Sequence, residues 1–389
     1  MKSIFIFLCL ILFLRSVSGI DLSRLNTSYW YDPAAPLTVR SRVSEASGTI
    51  QVFLSLRYDY SDQINTRLLL QTSYTDTLDK LLQIYVMDTL EKNSDHLFLK
   101  LSLDNIPEKL LVIEFEQLET YFYYPINLTR GRLNFPEFYP LITNEIPLIS
   151  SFSTSSSLKF RRAHAQDTLY FFQYEANFQP ADPPMGIAHS VASEILMDSI
   201  FMSSKEVSLA PNHFYFIQSD TLSSEGLTLF MGPKYYPKMT TIDELILPMT
   251  YFTSRSELAE VKNAKDSKVA FENFWLNAYT SSEAAAAAIR IYYRSIKQAN
   301  ELFTTYKEGW KTDRGMIYVI FGNPDSVFRA NKKEIWLYED FKFEFKVISN
   351  LFVPNMYVLL RNKGYEKPTP IQKAAIPELM LGRDLLGQA

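Results

Sequence analysis

The sequence is short of the residues on which most chemistry relies. Among 389 residues there are one cysteine, Cys9, and four histidines. A lone cysteine supports neither a disulfide framework nor a cysteine-ligated metal. His96, His164, His189 and His213 stand 68, 25 and 24 residues apart, which forms no metal-binding pattern. Glycine is scarce at 12 residues, and no GxGxxG or GxxxxGK loop occurs to cradle phosphates. No GxSxG nucleophile elbow is present. Ser156-Ser157-Leu158-Lys159 matches the SxxK pattern of a serine–lysine nucleophile, but it lies in a serine-rich run rather than at a helix start. An excess of basic charge is missing too. Lys and Arg number 39 against 43 Asp and Glu, a net −4 that provides no footprint for non-specific nucleic-acid binding. Arg161-Arg162 is too small a patch to change that.

Long apolar runs are absent as well, with one short exception. Lys2 precedes an unbroken apolar stretch from Ile4 to Leu14, followed by Arg15 and the small residues Ser16, Val17, Ser18 and Gly19. As a helix this stretch reaches only ~16 Å, too short for a bilayer and right for the apolar part of an export leader. Residues 1–19 are therefore expected to be a signal peptide, and the rest soluble or peripheral. Cys9 leaves with the leader; no small residues precede it, so it is not read as a lipid anchor. The mature chain then carries 37 cationic residues against 43 acidic ones. Asn26-Thr27-Ser28 and Asn127-Leu128-Thr129 are sequons with meaning only in a eukaryotic secretory pathway.

What the chain does have is apolar and aromatic bulk. Hydrophobic residues make up 47% and charged residues 21%, a globular composition. Aromatics reach 14%, which favours sheet. The expected class is α+β and mostly β. Thr49 to Arg57 alternates, with Ile50, Val52, Leu54 and Leu56 on one side and Phe53 as the exception. Strand-like runs recur at 66–73, 80–87, 96–103, 110–115 and 119–126, so residues 36–126 are predicted to form an antiparallel β-sandwich. Residues 127–156, ending in a serine-rich run, read as a linker. Runs at 167–175, 213–218 and 227–231 predict a second β-rich region over 157–240.

Residues 241–362 predict a helical hairpin followed by an antiparallel sheet. Helices are expected over 266–279 and from a capping box at Thr280-Ser281-Ser282-Glu283 onward. The apolar stripe of the longer helix is Ala285, Ile289, Tyr292, Ile296, Ala299, Phe303 and Tyr306, with Gly309 as its stop. Strands are expected at 316–321, 334–338, 341–348 and 356–361. In the third, Phe341, Phe343, Phe345 and Val347 share the buried face.

Gly309-Trp310-Lys311-Thr312-Asp313, with Arg314 to Asp325 and Glu334-Ile335-Trp336, resembles the GWxTD domain of exported Bacteroidota proteins. The resemblance covers about residues 261–362 and implies a compartment and an architecture, not a mechanism. Two readings of the motif stand. In one, Gly309 caps the long helix, Trp310 covers its stripe, and Thr312 and Asp313 bond nearby amides. In the other, Asp313, Arg314 and Asp325 form a polar cluster that binds a ligand or partner.

The last residues read differently. Gly364 to Gln372, GYEKPTPIQ, and its sequel to Ala389 resemble the Q motif of DEAD-box RNA helicases. That resemblance implies adenine contact by Gln372, with Tyr365, Lys367 and Thr369 in the same motif. The P-loop and the acidic DEAD box that hydrolysis needs are missing from the sequence.

The expected function is that of a non-enzymatic exported protein of a Gram-negative periplasm or outer envelope. Its expected partners are envelope proteins or glycans, with no nucleic acid, cofactor or metal. The alternatives are the leading piece of an ATP-dependent helicase, with ATP as cofactor, and a hydrolase using rim carboxylates.

Overall fold

The computed structural model describes residues 20–361, apart from 60–64, 77–79, 82–85, 105–109, 118–119, 130–135, 144, 163–167, 183, 185–194, 205, 223–224 and 331. The expected leader and the Q-motif-like residues Tyr365, Lys367, Thr369 and Gln372 lie outside the described residues, as do His164 and His189. The chain is mostly β, with 41% strand and 24% helix.

The first unit pairs two antiparallel sheets. One holds β1 (Leu37–Ala46), β2 (Thr49–Tyr58), β5 (Val86–Lys92) and β6 (His96–Asp104), in the order β1-β2-β6-β5. The other holds β3 (Asn65–Gln71), β4 (Lys80–Leu81), β7 (Leu110–Gln117) and β8 (Thr120–Asn127), in the order β4-β3-β7-β8. Period-2 alternation builds the core between them: Val52, Leu54 and Leu56 meet Leu68, Leu111 and Ile113. Phe53, out of step with that pattern, is buried on the outer face against Tyr139, with ring centres 4.8 Å apart. The exception in the alternation is therefore a contact with the next unit.

Residues 127–156, expected as a linker, hold two strands, β9 (Phe138–Leu141) and β10 (Phe152–Ser153). With β11 (Ser157–Arg162), β12 (Leu169–Glu175), β13 (Met197–Ser203), β14 (Val207–Ser208), β15 (His213–Gln218) and β16 (Leu227–Met231) they form sheets β14-β11-β9 and β10-β16-β15-β12-β13. β10 runs parallel to β16. One face of the larger sheet packs Phe171, Tyr215 and Leu229 against Phe138 and Leu158. The opposite face turns Phe214, Phe216 and Phe230 toward Tyr236, Tyr306 and Phe352. That second face is the seam with the last unit.

The last unit carries α1 (Ile242–Ile246), α2 (Arg255–Lys262), α3 (Ser267–Ala278), α4 (Ser282–Phe303) and α5 (Asp313–Phe321). Behind them lies an antiparallel sheet of β17 (Ser326–Ala330), β18 (Lys333–Leu337), β19 (Lys342–Ile348) and β20 (Met356–Leu359), in sequence order. Phe343 and Phe345 of β19 are buried, as the alternation predicts. Three expectations need correction. α4 starts at the N-cap Ser281, whose side chain accepts from the Ala284 amide at 3.1 Å, not at a Thr280 box. Capping boxes do occur, at Thr241/Glu244 and Ser254/Glu257. α4 also ends at Phe303, six residues before Gly309. Finally, residues 316–321 are helical rather than a strand. Met316 to Ile320 are buried consecutively, and an apolar run with no polar face does not reveal its period. No helix among the described residues is long and apolar enough to cross a membrane.

Candidate functional site

The GWxTD residues form the corner between α4 and α5. Gly309 opens a 3-10 turn, Gly309–Lys311, pressed against α4. A Cβ there would lie 2.1 Å from the Ala299 carbonyl oxygen, so no side chain fits. Gly315 is similarly close, with its Cβ position 1.9 Å from the Gly309 carbonyl oxygen. Trp310 is buried edge-on to Tyr251, whose hydroxyl donates to the Trp310 carbonyl at 2.8 Å. Asn300, fully buried on α4, accepts from the Trp310 amide at 3.1 Å and donates to the Pro237 carbonyl at 3.0 Å. Thr312 is the N-cap of α5, accepting from the Gly315 amide at 3.0 Å and donating to the Gly309 carbonyl at 2.7 Å.

Asp313 reaches away from that corner. Its carboxylate accepts from the Leu359 amide at 2.8 Å and from Arg361 at 2.9 Å, tying α5 to the end of β20. Arg361 donates onward to the Asp182 carbonyl at 2.8 Å. The whole motif is thus engaged in holding the corner, the sheet and the loop from the second unit together.

Arg314, the next residue, points into a different network. Glu334 of β18 is fully buried because it shares the inward parity of Trp336 two residues later. Its carboxylate accepts from Trp336 Nε1 at 2.9 Å, and the Tyr31 hydroxyl lies 2.9 and 3.0 Å from its two oxygens. Arg314 stands 3.3 Å from the same carboxylate and donates to the Tyr31 oxygen at 2.9 Å. Arg329 is 3.8 Å away and bonds the Tyr357 hydroxyl, while the Arg314 guanidinium lies 3.4 Å over the Tyr357 ring. Burial opposes charge on Arg314, but the Tyr31 oxygen and Glu334 outweigh it and hold the guanidinium above its ordinary value. Burial, then Glu334, pushes the Tyr31 phenol well above the usual range, so it remains a donor. Two guanidiniums therefore share one carboxylate.

Tyr31 arrives from the far end of the chain. Thr27 donates its amide to the Val327 carbonyl at 2.9 Å, and Asn26 accepts from the Val327 amide at 2.9 Å. The segment ahead of the sandwich is in this way bound along β17, about 300 residues later in sequence. Asn26 also donates to the Asp325 carbonyl at 3.1 Å. Asp325 itself sits exposed before β17, so Asp313, Arg314 and Asp325 each face different surroundings.

Arg314 and Arg329 also form the back of a cleft of about 1010 Å³ between the units. One wall is the outer face of the sandwich, where Arg40, Ser55, Arg57 and His96 stand on neighbouring strands. The facing wall is α4, with Arg294, Lys297, Gln298 and Glu301. Ser55 Oγ lies 2.8 Å from His96 Nε2, and Lys297 pairs with Glu301 at 2.8 Å. Six cationic side chains line the cleft, against Asp32 and Glu301. Of these only Arg314 belongs to the residues singled out from sequence. The others were hidden because they come from four separate stretches, though the inward parity of Glu334 beside Trp336 was readable.

Residues 213–371 match the GWxTD domain. The match begins at β15, well before the 261 expected from the motif, and β15 and β16 are the strands that pack Phe214, Phe216 and Phe230 onto Tyr236, Tyr306 and Phe352. The domain follows that packing rather than the end of the second β region. No curated protein matches the chain.

Proposed function

We propose that this chain is an exported, non-enzymatic binding protein of a Gram-negative cell envelope, with its ligand site in the cleft between the sandwich and the GWxTD domain. The observation that carries the reading is the division of polar groups between two places. The GWxTD side chains are consumed in packing and bonding, whereas the cleft presents charged groups at a junction of units, where ligand sites commonly form. The apolar run Ile4 to Leu14 supports export. The motif's acid is already committed to Arg361 and the Leu359 amide, which favours binding over hydrolysis. The helicase alternative rests on residues 364–389 alone.

The test has two parts. Expressed with its first residues in a Gram-negative host, the protein should be recovered from the periplasm or envelope with about residues 1–19 removed; cytosolic retention of the intact chain would sink the export claim. Immobilised protein should retain material from envelope extracts, and Gln298→Trp, which places a ring in the cleft, should abolish retention without changing Tm. Equal retention by that variant would refute the cleft as the site.

A further inference from the structure

We infer that the cleft takes an acidic oligosaccharide, a run of sugars bearing carboxylate or sulfate groups. The inference rests on the binding-protein reading and adds the ligand's chemistry. Charge is the first argument. The whole chain carries −4, yet the cleft gathers six cations against two acids, so the basic character is local. Walls of one sign focus the field and draw in an oppositely charged ligand.

The second argument is that these cations are available. Arg40, Arg57 and Arg294 are exposed side chains with no carboxylate partner among the described residues. Arg57 gives one bond to the Pro33 carbonyl at 3.0 Å and keeps the rest of its donor fork. Arg40 and Arg57 stand on one wall and Arg294 on the other, so anionic groups spaced along a chain can be met from both sides. At the back, Glu334 is the one carboxylate that Arg314 and Arg329 share among the described residues, which leaves one positive charge unbalanced beside the cleft. Paired guanidiniums suit carboxylate and sulfate oxygens in fork geometry.

The third argument concerns the uncharged lining. Hydroxyls of Ser41, Ser55 and Ser150 line the cleft with the rings of Trp30 and Tyr124, and each hydroxyl keeps further hydrogen-bonding capacity beside its bond to Tyr124, His96 or the Phe152 carbonyl. Hydroxyl partners and aromatic faces suit sugar rings, which are polar at the edge and apolar on the face. A peptide would instead draw on apolar anchor pockets. At about 1010 Å³ the cleft is at the upper end of small-molecule sites, with room for several rings rather than one.

Trp30 makes the site readable. It lines the cleft, whereas Trp275 and Trp310 are buried elsewhere and Trp336 is buried behind the back wall, on Glu334. Tetragalacturonate, maltotetraose, inorganic sulfate and hexaglutamate would each be titrated into the full-length protein, following tryptophan emission and heat. Tetragalacturonate should bind at least about tenfold more tightly than the other three, and its affinity should fall as salt rises. The triple variant Arg40→Ala/Arg57→Ala/Arg294→Ala should weaken it by roughly tenfold or more at unchanged Tm. Single Arg→Gln changes, which keep length and polarity, should each give part of the loss. Equal binding of maltotetraose, tighter binding of hexaglutamate or sulfate, or an unaffected triple variant would overturn the inference. If no probe binds while Gln298→Trp still abolishes retention of envelope material, the acidic-sugar inference fails and the binding-protein reading survives.

Discussion

The sandwich and the GWxTD domain solve the problem of a core in opposite ways. Between its two sheets the sandwich buries mainly Leu, Ile and Val, such as Val52, Leu54, Leu68, Leu111 and Ile113, with Tyr58, Phe115 and Phe122 among them. Such a core is held by area and dispersion, which have no direction. The GWxTD domain buries Trp275, Trp310, Trp336 and several tyrosines, and places Glu334 with them. Nearly every buried phenol there has an assigned partner: Tyr251 donates to Trp310, Tyr292 to Pro248, Tyr318 to Tyr31 and Tyr31 to Glu334. Directed bonds specify much of that core, although the indole N–H groups of Trp275 and Trp310 have no partner among the described residues. The difference teaches that one half tolerates change of shape and the other tolerates little change of chemistry.

The largest test of this contrast is alkaline pH. Burial raises Tyr31, Tyr251 and Tyr292 well above the ordinary 10.0, and raises Tyr29 and Tyr74 to about 12. A phenol with a raised folded-state pKa contributes its full stability below pH 10.0 and loses it as pH climbs through the folded value. Tyr29 and Tyr74 pack on the sandwich, whereas the phenols of the GWxTD core are raised further, so the aromatic near-ultraviolet signal at the sandwich should change first, as pH rises from 10 through about 12, while that of the GWxTD core persists. Loss of the GWxTD core signal first would break the contrast.

Next in size is the ionic cluster. Glu334→Ala leaves Arg314 and Arg329 without their carboxylate and should cost about 3–5 kcal/mol in denaturant unfolding. Replacing all three by apolar residues, Glu334→Leu/Arg314→Met/Arg329→Met, should recover most of that loss. In the sandwich, Leu54→Ala should cost about 2–5 kcal/mol, but Leu54→Met less than about 1.5. If Glu334→Gln proved as harmless as Leu54→Met, the two cores would not differ in kind.

The same contrast explains how much could be read from sequence. Strand period exposed the sandwich, because alternation records directly which side is buried. The 213–218 and 227–231 strands, buried on both faces, were placed to the residue as short apolar runs. The helical character of 316–321 was missed because that stretch is an unbroken apolar run, and β10 because two residues carry no period. The motif residues were legible as a corner, since Gly309 and Thr312 have local roles. What they reach was not: Asp313 finds Arg361 across the fold, and Tyr31 meets Glu334 about 300 residues away. The cleft was invisible for the same reason, because its arginines lie on β1, β2, α4, α5 and β17, and only folding brings them into one place.

Thr312 supplies the smallest and most local test. Its hydroxyl satisfies the Gly315 amide at the start of α5 and donates back to the Gly309 carbonyl, so it joins cap to corner. Thr312→Ala removes both bonds and should cost about 1 kcal/mol, the usual worth of an N-cap. Thr312→Ser keeps the oxygen and should restore most of it. Tm for the three proteins, with tetragalacturonate titrated in parallel, separates the corner from the cleft. Stability should drop in the alanine variant while affinity, referred to folded protein, stays unchanged. An affinity that fell with Thr312→Ala and returned with Thr312→Ser would mean that the motif shapes the cleft directly, and the division of labour between the two places would have to be redrawn.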